Sequence, residues 1–333
     1  MHMLILGGTG WLGATVAQLA LADGHAVTCL ARGKSGAVPA GATLVQADRK
    51  ADDAYAGVTG NHWDVVVDIA SQPGQVRAAA DALAPRCGHC IFVSSASVYA
   101  SHQTPHEDED APLLAPLAAD AMADMGEYGA AKAACEQHVR AAFGDHRSLI
   151  VRPGLIGGPG DRSDRTGYWP SRFARARVTG QPVLVPEPAT GATQVIDVRD
   201  LARWIVDCAV RRTAGIFNAV GPVVPLADHL AVAREVAGHD GAVVAAPTDW
   251  LTAQGVAPWA GPKSLPLWLP MADYAGFGAR DGQRAVAAGL SLRPLPQTLA
   301  DTLAWEHTRA ADTPRRAGLT DEEEAALLLA LRG

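Results

Sequence analysis

The chain has 333 residues, of which 48% are hydrophobic and 19% charged, and its formal net charge is −7. This composition is typical of a folded globular protein, and the length allows one large domain or two that share a core. The acidic balance argues against a general nucleic-acid binder, and no apolar run approaches the ~18 residues of a membrane-spanning helix.

The first 150 residues alternate strand and helix patterns. Helical periodicity predicts helices at 11–23, 74–84 and 127–143. Continuous apolar strands separated by helices indicate a parallel sheet covered on both faces, which right-handed crossovers make a doubly wound α/β domain of the Rossmann type. The predicted strands lie at 3–6, 26–30, 43–47, 64–70, 89–95 and 147–153.

The amino-acid composition of the sequence changes near residue 155. Proline and glycine become frequent, and six of the eight tryptophans lie beyond this point. The segments QVIDVRDLARWIVDCAV and TAGIFNAVG predict one more helix and strand that return to the sheet. We therefore predict a dinucleotide-binding Rossmann domain at 1–155, to which 193–222 return. The remainder, 156–192 and 223–333, is predicted to be a smaller, mainly helical C-terminal substrate-binding cap.

The first strand is followed by a glycine turn, LILGGTGWLGATVAQ, with Gly7, Gly10 and Gly13 ahead of the first helix. Glycines in this position let the backbone turn sharply and approach a pyrophosphate closely. N–H groups at the start of the helix, including those of Trp11 and Leu12, then meet the negative charge. We predict a dinucleotide-binding turn, with Thr9 among the contacts.

The end of the second strand bears on the choice of nucleotide. An enzyme that uses NAD usually has an acidic residue there, but this chain has CLARGKS, with Arg32 and Lys34. Two cations suit the 2′-phosphate of NADP, so NADP(H) is favoured over NAD(H). The alternative is that both are solvated loop charges. Asp48 and Arg49 follow the third strand, where an adenine would rest, and the Asp48 carboxylate could accept from its amino group.

The cysteines and the first residues bear on the compartment. Five cysteines, an odd number, do not suggest a disulfide framework, and MHMLILGG lacks the pattern of a signal peptide. We therefore expect a cytoplasmic protein. Cys87 and Cys90 have the spacing of a redox motif, but they follow a helix and enter a strand. Redox motifs work at a helix N-terminus, so we predict turn and strand cysteines here.

Tyr128 and Lys132 stand four apart in EYGAAKAACEQ, so they share one helix face. They are either proton-transfer machinery or two neighbours on a helix. Their position, one strand–helix unit after VSSASVY and downstream of the glycine turn, favours the first interpretation.

The motifs GGTGWLG, SSASVY, YGAAK and RPGLIGGPGD, in this order, resemble those of the extended short-chain dehydrogenase/reductase superfamily, also called the NAD-dependent epimerase/dehydratase family. The resemblance covers residues 3–220 well and continues more loosely to about 310. It implies that Tyr128 is the acid/base, and that Lys132 holds the nicotinamide ribose and keeps Tyr128 acidic. A free tyrosine has a pKa near ~10, so a shift of ~3 units requires ~4 kcal/mol of preferential phenolate stabilisation.

The same resemblance implies the other contacts. Ser95 would hydrogen-bond the substrate oxygen, and its neighbours Ser94 and Ser97 are alternatives for a substrate contact. Further cofactor contacts are implied at the ends of the fourth and sixth strands: Ala70, Ser71, Pro153 and Leu155.

The chain departs from the family pattern at three places. Ala96 and Ser97 stand where sugar-nucleotide dehydratases usually have an Asp-Glu pair, which disfavours dehydration. Leu155 stands where nucleotide-sugar enzymes often have asparagine, which weakens a nucleotide-sugar substrate. Tyr128 follows Ser95 by 33 residues, a long separation that contains an acidic, proline-rich loop.

The sequence identifies substrate-binding residues less specifically than cofactor-binding ones. The segment GPGDRSDRTGYWPSR supplies residues that either line the pocket, with an arginine facing an anion, or are surface arginines and a core tryptophan. Likewise, WLTAQGVAPWAGPKSLPLWLP either closes over an apolar substrate or packs the cap. The candidate substrate residues are Arg162 and Trp169, with Arg165, Tyr168 and Arg172 beside them.

These observations predict an NADP(H)-dependent oxidoreductase that reduces a carbonyl, or oxidises the corresponding alcohol, of a small metabolite. The alternatives are an epimerase with a transiently reduced bound cofactor, or a non-catalytic RNA-binding or nucleotide-sensing protein. Plant chloroplast stem-loop RNA-binding proteins, which look like atypical members of the superfamily, have a similar glycine turn and second-strand end. The expected partners are a small-molecule substrate and a second copy of the chain through the Tyr128 helix, with no nucleic acid and no membrane.

Overall fold

The computed structural model describes residues 1–187, 191–270, 272–310 and 313–332. The strands in these ranges are β1 (His2–Leu6), β2 (Ala26–Ala31), β3 (Thr43–Gln46), β4 (Trp63–Asp68), β5 (Cys87–Val93), β6 (Ser148–Pro153), β7 (Leu155–Gly157), β8 (Val183–Glu187), β9 (Ala192–Thr193), β10 (Val195–Asp197), β11 (Gly215–Ala219), β12 (Val224–Pro225), β13 (Val243–Pro247), β14 (Ala257–Trp259), β15 (Gly261–Pro262), β16 (Ser264–Pro266) and β17 (Ala317–Gly318). The helices are α1 (Trp11–Ala22), α2 (Ala56–Thr59), α3 (Pro73–Leu83), α4 (Tyr128–Phe143), α5 (Tyr168–Thr179), α6 (Val198–Arg211), α7 (Leu226–Val236), α8 (Thr248–Ala253), α9 (Gln283–Ala287), α10 (Leu295–Glu306) and α11 (Asp321–Ala330).

A parallel sheet of seven strands forms the centre of the molecule, in the order β11-β6-β5-β4-β1-β2-β3. The central strands are nearly continuous runs of buried apolar residues, as in Val65, Val66 and Val67 of β4, because both faces are covered. The order reverses at β1, which places a crevice at the carboxyl ends of β1 and β4. The predicted Rossmann-type, doubly wound α/β fold is confirmed.

Helices cover the two faces of this sheet. On one face α1 packs against α6, with Val16 of α1 and Trp204 of α6 in a common core. On the other face α3 packs against α4, where Val76 and Val139 share a second core. α4 ends at Gly144, whose φ of +73° stops the helix.

The chain returns to the sheet after its first departure into the cap. α6 leads into β11, which pairs with β6 and forms one edge of the seven-stranded sheet. The predicted additional helix and strand therefore join the Rossmann layers.

Most of the remaining chain beyond β6 packs around a separate hydrophobic core, whereas Ala285 of α9 and Leu290 belong to the core shared by α1 and α6. Trp169 and Trp268 lie at its centre, and α5, α7, α10 and α11 contribute to it. The cap also contains short strand pairs, β8 with β13 and β14 with β16, beside its helices. Residues 188–190, 271, 311–312 and 333 of the predicted cap lie outside the described ranges.

All five cysteines are free and buried. Cys87 and Cys90 lie in β5, which confirms them as strand cysteines. Burial raises the pKa of Cys87 to about 11 and that of Cys90 well above its ordinary value, so neither is a thiolate at neutral pH. In the part of the chain that the structure describes, no helix is long and apolar enough to cross a membrane.

Candidate active site

A glycine turn joins β1 to α1 at the carboxyl edge of the sheet. Gly7 has a φ of +99°, and a Cβ on Gly13 would lie 2.4 Å from the carbonyl oxygen of Gly7. Both positions therefore require glycine. Gly10 caps α1 without a side chain, so the N–H groups of Trp11 and Leu12 have no capping partner. Such free N–H groups form a site for an anion, and the turn fits the pyrophosphate of a dinucleotide.

The side chains of this turn are held away from the free N–H groups at the start of α1. Leu12 is buried in the core under α1, and the indole Nε1 of Trp11 donates to the carbonyl of Pro159 at 2.9 Å. Pro159 belongs to residues 158–166, which we call the cap loop. Thr9 is nearly buried, and it lines a surface groove of about 1,000 Å³ together with exposed Arg162. Trp11 thus ties the glycine turn to the cap.

Arg32 and Lys34 lie at the end of β2, as the sequence indicates. Both side chains are exposed, and neither forms an ion pair with any residue the structure describes. Gly33 between them has a φ of +72°, and the carbonyl of Arg32 accepts a hydrogen bond from Gln46 Nε2 at 3.2 Å. Two cations are therefore available beside the position of the nucleotide ribose.

The guanidinium of Arg49 is engaged within the protein, and its contact with the cofactor stays a prediction. The guanidinium donates to both carboxylate oxygens of Asp68, at 2.6 and 2.7 Å, and also to the hydroxyl of Tyr55 and the carbonyl of Gln75. These partners leave it committed to the protein, since a buried ion pair requires this degree of satisfaction. The Asp48 side chain remains exposed, and among the residues that the structure describes its carboxylate accepts from the backbone N–H of Lys50 alone.

Tyr128 and Lys132 occupy the first turns of α4, over the carboxyl ends of β4 and β5. Lys132 is buried, and its Nζ donates to the carbonyls of Ala70 at 2.8 Å and Val93 at 2.6 Å. The same Nζ lies 6.0 Å from the centroid of the Tyr128 ring. The i, i+4 pair therefore faces one site, and Lys132 also joins the ends of two strands.

Burial dominates the acidity of both groups. It lowers the pKa of Lys132 from 10.5 to about 8. It raises the pKa of Tyr128, although hydrogen bonding with Ser95 and Ser71 and the charge of Arg165 oppose that change. The phenol is therefore protonated at neutral pH, and the expected lowering of its pKa by Lys132 is not found in the protein alone.

The buried ammonium predicts a pH dependence of stability. Folded Lys132 loses its proton near pH 8 and unfolded lysine near 10.5. The unfolded chain therefore binds more protons between these values, and stability rises with pH there. We expect the free energy of unfolding of the native protein, relative to Lys132→Met, to increase by roughly 2–3 kcal/mol between pH 7 and pH 10. Urea denaturation of both proteins at the two pH values measures it.

The comparison uses the difference between the two proteins because the ionisation of a buried thiol such as Cys29, whose pKa burial alone raises, then cancels. A difference that stays constant from pH 7 to pH 10 would contradict the ammonium assignment.

Ser95 and Ser97 lie in a short turn that packs against the start of α4, next to Tyr128. Ser95 Oγ donates to Ser97 Oγ at 3.1 Å and accepts from the Ser97 N–H at 3.1 Å, which caps a short 3-10 turn. A Cβ on Gly129 would lie 2.2 Å from the carbonyl oxygen of Ser97, so glycine after Tyr128 lets α4 approach this turn. Ser71, inferred as a cofactor contact, also lies beside the phenol.

The prediction that Ser94 is an alternative substrate contact is wrong, because Ser94 is buried. Its hydroxyl donates to Glu136 Oε1 at 2.5 Å, and Glu136 forms an ion pair with Arg152 at 2.7 Å. Arg152 also donates to the hydroxyl of Tyr99 at 3.1 Å. Ser94 therefore belongs to a buried polar network under the site and has no access to a ligand.

Pro153 and Leu155 lie where β6 gives way to β7. Both are buried, and Leu155 packs in the core of the cap with 7% of its surface exposed. Their contact with a nicotinamide stays a prediction. The carbonyl of Ala70 is already an acceptor for Lys132.

The prediction that Trp169 lines the pocket is wrong. Its side chain is fully buried in the cap core, and its Nε1 donates to the carbonyl of Pro266 at 2.7 Å. Tyr168 is likewise buried, and Arg172 forms a buried ion pair with Glu324. These residues hold α5 in the cap. They therefore have a structural role and do not line a pocket.

Arg165, by contrast, lies in the cap loop and contacts Trp259. Its guanidinium carbon lies 5.1 Å from the centroid of the Trp259 ring, and its Nε donates to Ser163 Oγ at 3.1 Å. Burial lowers the pKa of Arg165, while the charge of Asp161, and that of Tyr128 when it is ionised, oppose that effect. The contact of Trp259 with Arg165 is not predicted from the sequence, in which Trp259 is one of several tryptophans of its segment.

Residues 3–219 match the model of the NAD dependent epimerase/dehydratase family. The Thermus thermophilus UDP-glucose 4-epimerase, solved with NAD, superposes with a TM-score of 0.66 at 17% identity, over 93% of this chain and 100% of that one. At this identity the likeness shows the fold.

Two curated relatives match parts of the sequence. The 2′-dehydrokanamycin reductase of Streptomyces kanamyceticus is 32% identical over 160 residues, 47% of this chain and 43% of the relative. A chloroplast stem-loop binding protein of 41 kDa from Arabidopsis thaliana is 28% identical over 258 residues, 71% of this chain and 63% of the relative. The matches thus span less than two thirds of either relative.

Proposed function

Because the chain belongs to the NAD dependent epimerase/dehydratase family, we propose that it is an NADP(H)-dependent oxidoreductase acting on a carbonyl, or the corresponding alcohol, of a small metabolite. The observation that carries this proposal is the position of the Tyr128 phenol. It lies beside Ser95 and Ser71, with Lys132 on the same helix face, and the glycine turn follows the adjacent strand β1.

Each residue has a defined task in this proposal. A bound nicotinamide nucleotide supplies or accepts the hydride. Tyr128 gives its phenolic proton to the carbonyl oxygen in reduction, or takes the proton of the hydroxyl in oxidation. Ser95 holds the same oxygen by a hydrogen bond. Lys132 uses two donors on the carbonyls of Ala70 and Val93, which leaves its third N–H for the nucleotide ribose.

The protonated form of Tyr128 suits its task as proton donor in reduction. Burial raises the pKa of its phenol, so the group is a proton donor at neutral pH. Oxidation requires the phenolate, which needs a positive charge close by to form.

The surroundings of Ser95 support a single proton transfer. Ala96 is buried, and Ser97 is hydrogen-bonded to Ser95, so neither supplies the second acid that dehydration requires. A reductase or an epimerase needs only the Tyr128 proton.

Nucleotide binding and net turnover test the proposal. Protein stripped of nucleotide is titrated with NADPH and NADH by fluorescence, and a panel of ketones and aldehydes is then screened with the preferred nucleotide. We expect stoichiometric oxidation of NADPH with an accepted carbonyl. Tight binding with interconversion of epimers and no net consumption would instead establish an epimerase.

The exposed cations at the end of β2 give a prediction on nucleotide choice. We expect the double variant Arg32→Ala/Lys34→Ala to bind NADPH about 10- to 100-fold more weakly, because charge-assisted hydrogen bonds to the 2′-phosphate are lost. NADH affinity should change less than about threefold, since NADH has no such phosphate. Titration of both proteins with both nucleotides measures the ratio.

The matched control is Arg86→Ala. Arg86 is exposed and directly precedes β5, so it lies at the amino ends of the strands, away from the glycine turn. This substitution should leave both affinities unchanged. Equal loss of NADPH and NADH affinity in the double variant would show that the two cations act without regard to the 2′-phosphate.

The similarity to the Arabidopsis stem-loop binding protein favours RNA binding as a second candidate. A gel shift with a stem-loop RNA at low and high salt tests it, because phosphate contacts weaken steeply with salt. Retention of RNA together with negligible affinity for either nucleotide would replace the oxidoreductase proposal.

The proposal also includes a cytoplasmic homodimer. Five free cysteines support a reducing compartment, and the resemblance implies association through α4 and its neighbour α3. Light scattering of the purified protein gives the mass in solution.

A further inference from the structure

Arg165 is partly buried, and its partners differ from those of four other arginines at buried carboxylates. Arg49, Arg152, Arg172 and Arg309 each form an ion pair with a buried carboxylate. Arg165 forms none within the ranges that the structure describes, and its Nη1 and Nη2 donate to no acceptor there. Desolvating a cation without an anionic partner is costly, so a protein keeps one where a ligand supplies the partner.

The cap loop holds this side chain in place. Asp161 is buried and accepts from the Ser163 N–H at 2.8 Å and from Thr166 Oγ1 at 2.6 Å. Asp164, with a φ of +62°, accepts from Arg309 and from the Arg316 N–H. The residues on both sides of Arg165 are thus fixed, and a left-handed aspartate is a strained conformation that surrounding contacts must maintain.

Two contacts limit which part of the guanidinium is available. The guanidinium carbon lies over the Trp259 ring, and Nε donates to Ser163. The edge formed by Nη1 and Nη2 remains, and this edge binds a carboxylate or phosphate through two parallel hydrogen bonds.

We propose that the substrate carries a compact oxyanion, a carboxylate or a phosphate, that Arg165 binds while the substrate carbonyl lies against Tyr128. The inference rests on the proposed oxidoreductase function and names its substrate class. The Trp11–Pro159 hydrogen bond ties the cap loop to the glycine turn, so the proposal places the oxyanion and the reacting carbonyl on one small substrate molecule. An oxo or hydroxy acid, or a phosphorylated ketone, has this arrangement. The same guanidinium repels a cationic substrate.

Calorimetric titration with anions tests the proposal. The protein is first saturated with its preferred nicotinamide nucleotide, so that the glycine turn is occupied, and is then titrated with malonate and separately with inorganic phosphate. We expect at least one of them to bind at millimolar concentration and to bind more than 10-fold more weakly to Arg165→Met. Arg165→Lys should bind with intermediate affinity, because the charge remains without the planar fork.

The control is Arg177→Met, an exposed arginine in the last turn of α5, which should bind both anions as the native protein does. Equal melting temperatures exclude misfolding of the variants. Binding of malonate alone assigns a carboxylate, and binding of phosphate alone assigns a phosphate ester. Binding of neither anion up to roughly 50 mM, or equal affinity in Arg165→Met, overturns the proposal.

A second readout separates this inference from the proposed function. Failure to bind any nicotinamide nucleotide in the first step contradicts the oxidoreductase. Nucleotide binding without Arg165-dependent anion binding contradicts only the substrate class. With an accepted substrate, Arg165→Met should raise KM more than it lowers kcat, since the contact is present before and during the reaction.

Discussion

Replacement of Tyr128 by phenylalanine is expected to lower kcat by about 1,000-fold on any accepted carbonyl, within the range of general acid catalysis. The change removes one hydroxyl from a half-buried ring, and the first turn of α4 keeps its packing on the Ser95–Val98 turn. Nucleotide affinity and melting temperature should therefore stay close to those of the native protein. Steady-state kinetics and a nucleotide titration on the same preparation measure both.

The control for this change is Tyr274→Phe, which removes a hydroxyl from an exposed tyrosine of the cap. It should retain native turnover. A Tyr128→Phe protein that keeps more than about a tenth of native kcat would falsify the assignment of the phenol as proton donor.

Replacement of Arg152 by methionine is expected to lower the free energy of unfolding by about 3–5 kcal/mol, because it leaves the Glu136 carboxylate buried without its cation. The pair is almost fully buried, with side-chain exposures of 1% and 4%, and Ser94 and Tyr99 hydrogen-bond to it. Urea denaturation at neutral pH gives the difference.

Two variants separate the charge effect from lost packing. The double variant Arg152→Met/Glu136→Leu removes both charges and should be more stable than Arg152→Met alone. Arg140 lies on the same helix as Glu136 and forms an exposed pair with Asp145 beyond the end of that helix, so Arg140→Met should change stability little. If the double variant is less stable than the single one, packing and not the unpaired charge explains the loss.

The sequence predicts the sheet and the ends of its strands because their chemistry is local. Apolar runs mark the buried strands, and the glycines of the first turn are required by backbone geometry within seven residues. The Tyr128–Lys132 pair is similarly local, since both residues lie on one helix. These parts of the site could be identified without tertiary information.

The partners of charged side chains could not be predicted in the same way. Arg49 finds Asp68 19 residues away, and Ser94 finds Glu136 42 residues away, across turns whose course is set by packing. A polar residue at a strand end therefore looks the same in sequence whether it faces a ligand or a buried carboxylate. Arg165 and Trp259 illustrate the reverse case, because no spacing in the sequence predicts their contact.

The hydrogen bond from the Trp11 indole to Pro159 gives the two binding sites a common boundary. Trp11 ends the glycine turn, and Pro159 lies in the cap loop that carries Arg165. A movement at one end of this bond changes the fit at the other, and thermodynamic linkage requires each ligand to alter the affinity of the other by the same factor. If both sites bind as proposed, we therefore expect nucleotide binding and anion binding to be coupled through this contact.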